Sequence, residues 1–278
     1  MQLPMQIKDK IAVVTGAARG IGFAVAARLA KSGARAVALV DSAPEADCEK
    51  AAGEINRAAG AEVARVFRGD VCDAAFRAEV FSQMEKEHDD CARICVPAAG
   101  ILRDAMSVKI GRENGAAQIY DEELFRRVLE VNLLHPVYWA MQMTARIAEL
   151  RHRAGAKKWR QDEPLQGACV FIGSVSSRGN RGQISYASAK SALSAAAKTL
   201  NLEGMFHGVQ TKILHPGLVD TPMAAQIPEE QLEKYLLPQI SIGRLIAPEE
   251  VADAAAMLIE SPAVSGPLWI DGGMRPMA

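Results

Sequence analysis

IAVVTGAARGIG, residues 11–22, runs from an apolar strand pattern through a turn with three glycines into an Ala-rich helical pattern. Gly16, Gly20 and Gly22 let the backbone turn tightly and come close to a diphosphate. A helix opening at Gly20 then offers unpaired N–H groups and the positive end of its dipole to that anion. Arg19 and Ile21 lie in the same turn and belong to the candidate site. The spacing is GxxxGxG rather than GxGxxG, and any tight strand-to-helix turn favours glycine. What strengthens the reading is its place, after a first strand and at the start of a first helix.

The alternation begun there continues along the chain. Strand patterns fall at residues 11–15, 36–41, 62–68, 93–98, 168–173, 209–214 and 267–270. Helical patterns fall at 20–31, 44–59, 73–87, 121–151, 186–205 and 248–260. Runs such as AVALV and ACVFI are apolar throughout, as expected of strands covered on both faces. Repeated βαβ units with right-handed crossovers predict an α/β fold: a doubly wound, Rossmann-type parallel sheet of about seven strands. No linker or repeat divides the 278 residues, so one domain over 1–278 is expected.

Two segments fall outside that alternation. Residues 103–120 are polar and aperiodic and leave from the carboxyl edge of the sheet, where ligands bind in open α/β folds. Residues 151–166, basic then acidic, precede a strand and so lie at the opposite edge, where a solvated loop is expected.

Hydrophobic residues make up 49% and charged residues 23%, and the net charge is −1. That balance argues against nucleic acid or an anionic membrane as partner. No apolar run approaches a membrane span, and MQLPMQIKDK lacks a signal-peptide layout, so a cytoplasmic protein is expected. Five cysteines form no CxxC pair. Cys91 and Cys95 are better read as small core residues than as ligands, and no metal site is expected.

The second strand pattern ends at Asp41, where a carboxylate can accept from ribose hydroxyls and repel a 2′-phosphate. This favours NAD(H); Arg19 could meet a 2′-phosphate, so NADP(H) stays open. A helix N-cap is the plainer role for Asp41. Asp70 and Val71 end the third strand pattern in the same way, where they could reach an adenine, although a turn-forming Asp serves that position almost as well.

YASAK, residues 186–190, sets a phenol and an ammonium four apart on one helix face. A phenol with pKa near 10 is a poor proton-transfer group at pH 7 unless nearby positive charge favours its anion, which Lys190 and an oxidised nicotinamide would supply. Ser174, at the carboxyl end of its strand pattern, could donate to a substrate oxygen while Tyr186 moves the proton. Ser176 and Ser177 are nearby alternatives. Asn132 interrupts the apolar run VLEVNLL, and a buried amide there requires partners.

Together these motifs resemble the short-chain dehydrogenases/reductases over nearly the whole chain. TGAARGIG is similar to the family's TGxxxGxG turn, and Ser174, Tyr186 and Lys190 to its Ser…YxxxK set. The resemblance implies that Asn132 joins a water-linked proton relay to the lysine. HPGLVDTPM, residues 215–223, resembles the segment in which Pro216, Gly217, Val219 and Thr221 would hold the nicotinamide end. GRLIAPEEVADAAAML and WIDGG are also typical. Residues 97–100 read PAAG where NNAG is usual, so Ala99 and Gly100 would meet the cofactor without two asparagines that link strand, adenosine and catalytic helix. Ser174 precedes Tyr186 by 12 residues where 13 is common.

Motif style is nearest to 3-oxoacyl-carrier-protein reductases. The resemblance implies a small-molecule secondary alcohol or ketone as substrate, a 3-hydroxyacyl thioester among the candidates, and a substrate lid over 221–243. It also implies a homo-oligomer, tetramer or dimer, in keeping with the many alanines of the helix from Tyr186. Competing readings are an NADPH-dependent 3-oxoacyl reductase and a non-catalytic NAD(H)-binding sensor or scaffold.

Overall fold

The computed structural model describes residues 5–111 and 115–274. The chain runs β1 (Ile11–Thr15), α1 (Gly20–Lys31), β2 (Ala36–Asp41), α2 (Glu45–Ala59), β3 (Ala64–Arg68), α3 (Ala74–His88) and β4 (Ile94–Pro97). A short hairpin follows, β5 (Val108–Ile110) and β6 (Ala117–Ile119). Then come α4 (Glu122–Leu129), a π-helical segment (Glu130–Leu134), α5 (His135–Arg153), β7 (Gly167–Ile172), α6 (Ile184–Gly204) and β8 (Val209–Pro216). A one-turn α7 (Glu229–Gln231), α8 (Pro248–Glu260) and β9 (Leu268–Ile270) complete it.

Seven strands form one parallel sheet in the order β3-β2-β1-β4-β7-β8-β9. The order reverses between β1 and β4, so a crevice opens there at the carboxyl edge. Every residue of β1, β4, β7 and β8 is buried, because helices cover both faces. Val14, Leu39 and Val170 pack with Leu29 of α1 and Val251 of α8 on one face. Val13, Cys95 and Phe171 pack with Phe81 of α3, Trp139 of α5 and Leu193 of α6 on the other. Among the described residues no helix is long and apolar enough to cross a membrane.

Local chemistry sets the helix ends. Asp73 caps α3 by accepting from Ala75 and Phe76 N–H, and Asp121 caps α4 by accepting from Leu124 N–H. Gly60 closes α2 at φ +69°, a left-handed conformation that suits glycine.

Four expectations need correction. The helix read over 121–151 is broken at Glu130–Leu134 by one wide π-turn, so α4 and α5 are not one regular helix. Residues 103–120 contain the antiparallel β5–β6 pair, with Val108 opposite Ile119. The helix carrying Tyr186 starts two residues earlier, at Ile184. Residues 151–166 are not simply a solvated loop. Trp159 is 7% exposed, fills the space that a Cβ on Gly208 would take, and donates from Nε1 to the Pro164 carbonyl at 3.0 Å. Arg151, equally buried, pairs with Glu163 at 2.7 Å. Lys157, Lys158 and Arg160 do stay exposed.

Candidate active site

The glycine turn is closed on itself. Gly16 and Gly20 have φ of +65° and +60°, and a Cβ on Gly16 would lie 2.7 Å from the Ala99 Cα. A Cβ on Gly22 would lie 2.1 Å from the Gly16 carbonyl oxygen, so no larger residue fits without moving the turn. Arg19, the exposed N-cap of α1, makes no side-chain cap, and the first turn holds no acid. The N–H end of α1 is therefore uncapped by side chains and positive, which suits a diphosphate. Ile21 packs into the core below.

Asp41 ties this turn to β2. One carboxylate oxygen accepts from Ala18 N–H at 2.9 Å and the other from Ala43 N–H at 3.0 Å. Each oxygen keeps a lone pair, so ribose hydroxyls could still be accepted. Asp70 accepts from Cys72 N–H at 2.9 Å and from Arg127 at 3.2 Å. The Cys72 bond first, and Arg127 after it, hold its pKa below the usual carboxylate value against the opposing effect of burial. Val71 is buried, and its carbonyl accepts from the Trp139 indole at 2.8 Å.

Beside the turn lies a buried polar relay. Thr15 Oγ1 is 2.9 Å from His135 Nε2 and accepts from Ala99 N–H at 3.2 Å. His135 Nδ1 is 2.9 Å from the Val131 carbonyl. Burial, opposed by that bond and aided by the charge of Lys190, pushes His135 down to about 3, so the ring is neutral. Strand, turn and helix are thus joined by Thr15 and His135, although Pro97 and Ala98 stand where asparagines were expected. The Asn132 amide is fully buried. Its Oδ1 accepts from Ile101 N–H at 2.9 Å and its Nδ2 donates to the Ile101 carbonyl at 2.8 Å. One N–H and one lone pair of that amide remain for a relay. Gly100 passes so close that a Cβ would sit 3.1 Å from Asn132 Oδ1.

Ser174 follows β7 and opens a 3-10 turn (Val175–Arg178), its hydroxyl accepting from Ser176 N–H at 3.1 Å. Its own proton is directed at the Tyr186 oxygen. Ser176 Oγ accepts from Asn180 at 3.3 Å, and Ser177 Oγ lies 3.3 Å from His215. Of the three serines only Ser174 acts on the Tyr186 phenol, pulling its pKa down, while burial first and the Asp104 carboxylate second push it up to about 12. Lys190 Nζ donates to the Ile172 carbonyl at 2.7 Å and lies 5.6 Å from the Tyr186 ring centroid. Burial lowers Lys190 to about 8. In the protein alone the phenol thus stays above its ordinary value; the sequence expectation pairs Lys190 with the charge of an oxidised nicotinamide.

The chain after β8 leaves from the same carboxyl edge. Gly217 N–H donates to the Ile270 carbonyl at 2.8 Å, and Val219 is buried and bridges to Ile246. Thr221 donates to the Val219 carbonyl at 3.3 Å, and its methyl would meet a Cβ on Gly20 at 3.3 Å. The glycine turn follows β1, Asp41 ends β2, Ser174 follows β7 and Pro216 ends β8, so these residues share the carboxyl edge of the sheet.

Sequence reasoning missed the two buried histidines and the anchor of the 103–120 segment. Tyr120 Oη donates to the Arg103 carbonyl at 2.6 Å and lies 3.0 Å from Ser185 Oγ, and Gln183 donates to Asp104 at 2.7 Å. A lone His or Tyr carries no periodic signal that would reveal such roles.

Residues 10–232 match the family model described as short chain dehydrogenase. The chain is 34% identical to a 3-oxoacyl-[acyl-carrier-protein] reductase of Pseudomonas aeruginosa, over 98% of this chain and 97% of the relative. It is 32% identical to the short-chain reductase protein NovJ of Streptomyces niveus, over 97% and 95%. It is 29% identical to a (3R)-3-hydroxyacyl-CoA dehydrogenase of Canis lupus familiaris, over 93% of this chain and 92% of the relative.

Proposed function

The chain belongs to the short-chain dehydrogenase family and is an NAD(P)(H)-dependent oxidoreductase of CH–OH and oxo groups; within that activity we propose a secondary alcohol/ketone pair, a 3-hydroxyacyl/3-oxoacyl thioester, as substrate. The observation that carries the mechanism is the convergence of Ser174, Tyr186 and Lys190 at the carboxyl edge, beside a glycine turn with an open helix N-terminus. The names of the relatives support the acyl substrate.

The closed glycine turn and uncapped α1 fit a dinucleotide diphosphate, with Asp70, Val71, Ala99 and Gly100 along its adenosine side and Pro216–Thr221 at its nicotinamide end. When bound, the nicotinamide supplies the hydride donor or acceptor and, oxidised, a positive charge. Ser174, whose proton faces Tyr186 in the protein alone, donates it to the substrate oxygen once substrate lies between them. Tyr186 gives a proton to the forming alcohol or takes one from the alcohol being oxidised. Lys190, neutral or charged near pH 8, passes protons between the site and the Asn132 side of the crevice. Asp41 favours NAD(H), because its carboxylate would repel a 2′-phosphate.

Residues 221–243, largely exposed, would close over the substrate. Exposed Leu134, just before α5, and exposed Tyr138 and Met141 on it support a homo-oligomer, and free, mostly buried cysteines support a cytoplasmic setting. A panel of 3-oxoacyl and simple ketones, each tried with NADH and NADPH, tests the reading. Turnover of 3-oxoacyl thioesters with NADH is expected; tight NADH binding with no turnover across the panel would mean a sensor instead.

A further inference from the structure

His215 precedes Pro216 at the end of β8 and is only 1% exposed. Its Nδ1 lies 3.0 Å from the Ser174 carbonyl oxygen, 3.1 Å from the Ser174 amide nitrogen and 3.3 Å from Ser177 Oγ, and its Nε2 lies 3.2 Å from Ser194 Oγ on α6. Nδ1 therefore meets both backbone polar groups of Ser174: with the ring proton it donates to the carbonyl, and without it accepts from the amide, so either tautomer ties the imidazole to Ser174. Gly173 leaves the room for this: a Cβ there would lie 2.4 Å from Nδ1.

The imidazole is itself held from behind. His215 and Trp269 are register partners on β8 and β9, and their rings stack at 4.2 Å with an interplanar angle of 16°. The Arg178 guanidinium lies 3.6 Å over the Trp269 ring, on the face that His215 leaves free. Arg178 ends the 3-10 turn that Ser174 begins. The short segment Ser174–Arg178 is therefore fastened at its start by the edge of His215 and at its end by the face of Trp269. Neither His215 nor Trp269 needs to touch substrate for this to matter, since a hydroxyl donor works only when held in place.

We propose that His215, backed by Trp269 and Arg178, is a positioning residue that fixes Ser174 for hydrogen bonding to the substrate oxygen. This rests on the role assigned to Ser174 above. An indole at position 269 and an imidazole at 215 are then parts of one device, although 54 residues separate them.

Two measurements test it. Hydrogen–deuterium exchange over residues 173–178 needs no substrate. Exchange of the Ser174 amide should quicken by about tenfold or more in His215→Leu and return to within about threefold in His215→Asn, which keeps an acceptor. Unchanged exchange in His215→Leu overturns the proposal. The second measurement is kcat and KM for reduction of acetoacetyl-CoA with NADH. His215→Leu should lower kcat by about tenfold while KM for NADH stays within about threefold, and in a Ser174→Ala background the same change should cost less than about twofold. Arg178→Gln, at the exposed end, should lose about two- to fivefold in kcat without loss of fold. A His215 effect undiminished by Ser174→Ala overturns the proposal. Full turnover in Ser174→Ala alone instead overturns the role of Ser174, and if acetoacetyl-CoA is not turned over the exchange result decides.

Discussion

Thr15 Oγ1 meets His135 Nε2 at 2.9 Å, joining the first residue of the glycine turn to the helix that follows Asn132. The same hydroxyl accepts from Ala99 N–H, so one side chain holds three elements in register. Thr15→Val keeps the shape but leaves a buried imidazole nitrogen and a backbone amide without partners. A loss of about 1–3 kcal/mol in unfolding free energy is expected, read as a lower denaturant midpoint at unchanged slope.

His135 also sets an acid limit. It titrates at about 3 in the fold against 6.5 when unfolded, so between those values the unfolded chain binds a proton that the folded chain does not. Stability is complete above pH 6.5 and falls as pH drops toward 3, at up to about 1.4 kcal/mol per pH unit from this residue. His207 and His215 are lowered too and add to the slope. His135→Gln should flatten the profile of unfolding free energy against pH; an unaltered slope would show that the acid limb lies elsewhere.

Tyr186→Phe removes the proton donor and leaves the ring. Turnover should fall by about a thousandfold or more while NADH affinity, followed by fluorescence titration, stays within about threefold. Because burial holds the phenol near 12, its ionisation in the protein alone should need strong alkali. Saturating NAD+ adds positive charge nearby, so the difference titration of wild type minus Tyr186→Phe should move to lower pH.

Asp41→Ser tests cofactor choice. The carboxylate that would repel a 2′-phosphate is removed, and so are its bonds from Ala18 and Ala43. The ratio of kcat/KM for NADPH over NADH should rise by about tenfold, with a small drop in melting temperature from the lost tether. An unchanged ratio would falsify the selectivity assigned to Asp41.

The fold was legible because its signals are local and repeated: apolar strands, Ala-rich helices and a glycine turn at their first junction. Asn132, too, was legible as a buried amide, since a polar residue inside VLEVNLL must find partners. Three things were hidden for physical reasons. A π-turn adds one residue to a helix without changing its composition, so periodicity over 121–151 shows nothing at Glu130–Leu134. The strands of the β5–β6 hairpin are three residues each, too short for alternation to register, even though Val108, Ile110, Ala117 and Ile119 fall on one face by pairing. The pairings of His135 with Thr15 and of His215 with Trp269 span 120 and 54 residues, and spacing alone cannot announce partners that far apart.

The wide turn at Glu130–Leu134 also governs which length changes this gene could survive. Each α-helical residue turns the chain by about 100°, so deleting one codon there would restore a regular helix and rotate everything on its upstream side by that angle. The apolar stripe of α5 would stay seated against the sheet, while buried Val128 and Val131 would turn from their places. Asn132 would swing away from Ile101. The extra residue of the wide turn is thus what lets one continuous rod of chain aim its amide at Ile101 and still keep its apolar side on the sheet.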